Sequence, residues 1–155
     1  MGKDGFGGVD PVMEDLSVAK ERLATRGLTL CVVKDGRVVF ETASHGISGF
    51  LRATEQFGEQ VAGASVADKV VGRAVALLCL YARVRAVHAS VMSMGARALF
   101  EQNSVYAEWD ELVESILSDC RPVTCPFEAL ASNITDPSEG YKKLKALQAS
   151  LKQRR

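Results

Sequence analysis

The dipeptide Asp35-Gly36 stands between two β-rich runs, at 28–33 and 37–41, and it limits this fold more than any other short feature. Asp-Gly supplies the backbone positions of a tight hairpin turn, so the two runs predict antiparallel strands. The first run, LTLCVV, is apolar almost throughout, as a strand must be when both its faces are buried. Such a strand needs a layer above and a layer below. Upstream, Asp10-Pro11 predicts a helix over about 11–26, with Asp as cap, Pro in the first turn and Gly27 as the stop. Downstream, the patterns predict a helix over 47–57, a connector of small residues over 58–64 and a helix over about 66–82. A strand over 84–90, a helix over 94–102, a strand over 104–109 and a short helix over 111–118 follow. Residues 119–126 read as an irregular connection. Asp136-Pro137 opens a last helix with Tyr141, Leu144, Leu147 and Leu151 as its packing stripe. A hairpin followed by alternating helices and strands predicts the α/β class, a three-layer α/β/α sandwich with a mixed sheet.

The 155 residues suit one domain over 10–155, with a glycine-rich flexible tail over 1–9. Nineteen basic residues balance nineteen acidic ones, so no overall field favours nucleic acid or an anionic membrane. The basic residues Lys152, Arg154 and Arg155 sit at a helix end, where the dipole favours cations anyway. The longest apolar run, within 74–82, falls far short of the ~20 residues of a membrane span. No secretory signal is visible, which points to the cytoplasm and to reduced thiols. Cys31 and Cys79 read as small core residues.

Two helix starts carry the candidate chemistry. In SVADKVVGRAVALLCLYA (65–82) the charge is confined to the first half. Ser65 fits a helix cap with Asp68 three residues on, a capping-box spacing, and Gly72 implies a close approach, expected against the sheet. Lys69 and Arg73, four apart, would share a helix face as a solvated edge, an interface wall or an anion site. In TCPFEA (124–129) Cys125 takes the cap position, Pro126 the first turn and Glu128 the third position. A thiol there meets free N–H groups that favour thiolate, or it is a cysteine that packs.

His45, His88, Cys120 and Cys125 are the obvious zinc ligands, but their spacings give no zinc pattern, so no metal or other cofactor is expected. His88, mid-strand among apolar residues, reads as a satisfied core histidine. His45, in ASHG, reads as a turn or ligand-binding residue.

The segments LTLCVVKDGRVVFE, GASVADKVVGRAVALL, VHAS, CPFE and DPSEGYKKLKAL together resemble a bacterial family of domains of unknown function with a cytidine-deaminase-like fold. The resemblance covers about 28–151 and implies a three-layer domain on a mixed, five-stranded sheet. It implies no established activity. Zinc deaminases carry a His or Cys ligand, a small residue and a catalytic Glu at one helix start, and two cysteines in P-C-x-x-C at the next. Val66-Ala67-Asp68 looks like the first motif with Asp68 for Glu and Val66 for the ligand. Cys125 looks like the second, with Glu128 where the other cysteine would stand. Too few ligands remain for a catalytic zinc.

Two readings follow. In one, a deaminase-like domain without a complete zinc site binds a small polar or nucleotide-like ligand at two helix N-termini, with Ser65, Lys69, Glu128 and His45 as binding residues. Asp68 and Cys125 would carry any chemistry, as acid/base and thiol. In the other, the same residues are helix caps in a non-catalytic binding or self-association module, for instance a homodimer.

Overall fold

Asp35 and Gly36 have φ of 53° and 79°, the left-handed pair of a two-residue hairpin turn, and join β1 (Leu30–Lys34) to β2 (Arg37–Thr42). The structure is a computed structural model that describes residues 10–116 and 125–153. Leu30, Cys31, Val32 and Val33 are all buried, as the apolar run predicts for a strand covered on both faces. On its other side β1 pairs antiparallel with β3 (Ser65–Val71). β4 (Ala86–Ser93) and β5 (Tyr106–Val113) add in parallel, giving an open, mixed sheet of five strands in the order β2-β1-β3-β4-β5.

Helices lie on both faces. On one, Ala19 and Leu23 of α1 (Pro11–Thr25) cluster with Leu28, Cys31, Val33 and Ala67. Because side chains alternate along a strand, Leu30, Val32, Val66 and Val87 point the other way. They form the main core with Phe50 and Leu51 of α2 (Ser48–Val61), Leu77 of α3 (Arg73–Ala82) and Phe100 of α4 (Met94–Gln102). α5 (Pro126–Ala131) and α6 (Pro137–Gln153) pack against α3. Leu144, in the expected stripe of α6, is fully buried, and Tyr141 stacks on Tyr81 with ring centroids 4.2 Å apart. Asp10 caps α1 as expected, accepting the Val12 N–H at 2.9 Å.

Three expectations are corrected. The helix expected over 66–82 begins only at Arg73, because 65–71 is β3. Val66, Val70 and Val71 are β-branched and slot between two waiting strands, so sheet pairing overrides the capping-box spacing of Ser65 and Asp68. The 47–57 helix continues to Val61 past a kink at Phe57, taking in part of the expected connector. Glu111–Val113 extend β5 in register with β4 where a short helix is expected. The expected tail (1–9), the end of that short helix, Cys120, most of the irregular connection, and Arg154 and Arg155 lie outside the described residues.

Candidate functional site

β3 and β4 run parallel, so the carboxyl ends of these strands and the starts of the helices after them gather at one edge of the sheet. A cleft of about 600 Å³ opens there. Leu30, Phe50, Val75 and Phe127 supply apolar wall, and polar groups come from β3 (Asp68, Lys69), the segment before α2 (Ser44, His45) and the start of α5 (Cys125, Glu128).

Asp68 sits on β3 opposite Leu30 of β1 and Ala89 of β4. Strand alternation puts it on the same face as Val66, towards the main core, and its side chain lines the cleft. Its Oδ1 accepts the Val70 N–H at 3.2 Å. Burial pushes the carboxyl up to about 7, against the N–H groups of Val70 and Lys69, which favour the charged form. The fully buried Cys79 thiol is pushed well above its ordinary value, first by burial and then by the charge of Asp68.

Glu128 does not reach back to the start of its own helix, as a capping box with Cys125 would require. Its Oε1 accepts the Arg73 N–H and its Oε2 the Ala74 N–H, both at 2.8 Å, so α5 caps α3. Arg73 answers: its Nε donates to the Ala131 carbonyl at 2.8 Å and its Nη2 to the Ile134 carbonyl at 2.7 Å. Gly72 is the N-cap of α3, and a Cβ there would lie 2.5 Å from the Glu128 carboxylate. The close approach inferred for Gly72 is therefore real, but the neighbour is Glu128 and not the sheet. Cys125 is the N-cap of α5, as expected, without a side-chain capping bond.

Asp68, Lys69, His45, Cys125 and Glu128 all line this one cleft. Ser65 does not join them. Instead of capping a helix, its fully buried hydroxyl donates to the Val12 carbonyl at 2.7 Å and ties β3 to α1. Lys69 and Arg73 do not share a helix face, since Lys69 is on β3 and Arg73 opens α3. Among the described residues no group of three or more His, Cys, Asp or Glu side chains could hold a metal ion.

A second, smaller cleft of about 340 Å³ lies on the α1 face beside Lys20, Lys69, His88, Ser90 and Asp110. His88 is satisfied there, as expected, with Nδ1 2.7 Å from Glu108. Burial works to raise the Glu108 carboxyl, but hydrogen bonds from Lys20, Tyr106 and His88 outweigh it and hold the carboxyl below its ordinary range. Sequence reasoning missed Glu108 because its partner is set by the β4–β5 register, which no local pattern encodes.

The model of a family described as a domain of unknown function (DUF1893) matches residues 18–147. A crystal structure of a DUF1893 family protein from Thermotoga maritima is similar to this chain, at 26% identity and a TM-score of 0.80, over 93% of this chain and 95% of that one. No curated protein matches. No helix among the described residues is long and apolar enough to cross a membrane.

Proposed function

The chain belongs to the DUF1893 family, and from that premise we propose that it is a deaminase-like domain without a zinc site, whose larger cleft binds a small polar or nucleotide-like ligand. The observation that carries this reading is the meeting of Asp68, Cys125, Lys69, His45 and Glu128 in one cleft. These residues lie far apart in sequence, and caps scattered for helix stability alone would not need to converge.

The deaminase-like part of the reading is supported by the mixed five-stranded sheet with helices on both faces, and by the cleft's position at helix starts. Val66-Ala67-Asp68, which the resemblance places at a helix start, is strand, yet Asp68 lines the cleft from β3, and His45 lines it from the segment before α2. As an enzyme, the domain would use Asp68 as acid/base or orienting group and Cys125 as nucleophile or redox thiol.

Glu128 favours the alternative for its own position, because both its oxygens are engaged as a cap. In that alternative the chain is a non-catalytic binding or self-association module. A structure determined from crystals soaked with nucleotides and polar metabolites distinguishes the two. Ligand density between Asp68 and Cys125 is expected, with weakened binding by Asp68→Ala. Equal binding by parent and variant removes Asp68, and an empty cleft across the whole set overturns the reading.

A further inference from the structure

We propose that the larger cleft selects a small organic cation, an amine or amidinium, whose positive group is held by Asp68 while its apolar body packs among Phe50, Val75 and Phe127. This deepens the reading of the cleft as a ligand site and rests on it.

A helix start is ordinarily an invitation to an anion. At α3 that place is filled, because the Glu128 carboxylate occupies the Arg73 and Ala74 N–H groups. An anionic head group would meet a second carboxylate there. Asp68 is the acid left over. Only backbone N–H groups, of Val70 at 3.2 Å and of Lys69, favour its charged form, and no side-chain cation among the described residues does.

The surrounding titratable and charged groups explain why. Arg73, on α3, points its guanidinium at the carbonyls of Ala131 and Ile134. Lys69 follows Asp68 on β3 and lines the rim of the cleft, but alternation starts its side chain from the opposite face and it is exposed. His45, before α2, is exposed, and Cys79, on α3, is held as a neutral thiol by burial. Cys125 and Glu128 complete the set from the α5 side. A half-buried carboxylate against apolar walls, with no side-chain cation paired to it among the described residues, is stabilised most by a cation that arrives with the ligand.

Proton linkage gives the inference a signature. Burial holds much of Asp68 protonated at neutral pH, and a bound cation favours the ionised form, so binding releases a proton. Affinity for a cation therefore rises with pH through about 7 and levels off above it.

The test is a titration followed by backbone amide NMR, with benzamidine, its neutral counterpart benzamide, and benzoate as probes at about pH 8. Benzamidine is expected to bind at least ~10-fold more tightly than benzamide, with shifts at Val70, Val75 and Phe127, and benzoate more weakly than either. Asp68→Asn should erase the advantage of the amidine. The parent protein at about pH 5.5 should lose most of it too, so the test survives a variant that folds poorly. Equal binding of benzamidine and benzamide at pH 8 overturns the cation preference and leaves the cleft as a ligand site. Absence of cleft shifts with all three probes overturns both.

Discussion

Glu128 and Arg73 cap each other's helices: the carboxylate takes the first N–H groups of α3, and the guanidinium takes carbonyls at and beyond the end of α5. The pair fixes α5 to α3 and so fixes one wall of the cleft. Glu128→Ala leaves two N–H groups of α3 without their acceptor and should cost about 1–2 kcal/mol in urea denaturation. Gly72→Ala should also destabilise, because its methyl group would meet the carboxylate 2.5 Å away. The two losses share one cause. The double variant should fall short of their sum by about 0.5 kcal/mol or more, and strict additivity would contradict the contact.

Asp68 makes stability depend on pH in a definite direction. Its carboxyl is raised from 3.8 to about 7, so the folded state binds the proton more tightly than the unfolded chain. The stabilisation tied to that proton is complete below 3.8 and is lost as pH rises through about 7. Asp68→Asn cannot ionise. Above pH 7 it should be more stable than the parent by something on the order of 2–4 kcal/mol, with the difference closing in acid. Denaturation curves of both proteins across that range measure it, and a gap that does not change with pH would mean that the carboxyl is well solvated.

The hairpin has its own anchor. Asp15 of α1 is buried, and its two oxygens accept the N–H groups of Asp35 at 2.9 Å and Gly36 at 2.8 Å. Asp15→Ala should destabilise by about 2–3 kcal/mol, because two turn N–H groups lose a charged acceptor. Asp15→Asn, which keeps one acceptor oxygen, should cost less. Hydrogen exchange at Asp35 and Gly36 should quicken in both variants, and unchanged exchange would place the anchor elsewhere.

What could be read from the sequence follows from what is local. Asp35-Gly36 and Asp10-Pro11 each dictate their own backbone, and both turn and cap form as read. The apolar run from Leu30 to Val33 announces a central strand because only a doubly covered strand can bury it. Residues 65–71 carry no such local certainty. Ser65 and Asp68 have the spacing of a helix cap, and the partners that make the segment a strand, β1 and β4, lie elsewhere in the sequence. The site divides in the same way. Cys125 is a cap as read, while the carboxylate of Glu128 serves a helix that begins 55 residues earlier. Gly72 signalled the close approach but not its neighbour. The convergence of Asp68 and Cys125 on one cleft arises from topology, which residue spacing alone does not carry.

Thiol reactivity separates the cysteines by position. Burial pushes Cys31 up to about 11, with the Glu41 charge adding to it, and Cys79 lies well above the ordinary thiol value. Both are fully buried, so neither presents thiolate or access near pH 8. Cys125 is only partly buried and lines the cleft. Iodoacetamide should therefore alkylate Cys125 at least ~10-fold faster than Cys31 or Cys79 in the native protein, as read by peptide mass mapping. In denaturant the three rates should converge. A ligand seated beside Cys125 should slow its alkylation and leave the two buried thiols unaffected. Equal native rates for all three would mean that the chain opens faster than the reagent reacts, and the cleft would then not be a preorganised site for thiol chemistry.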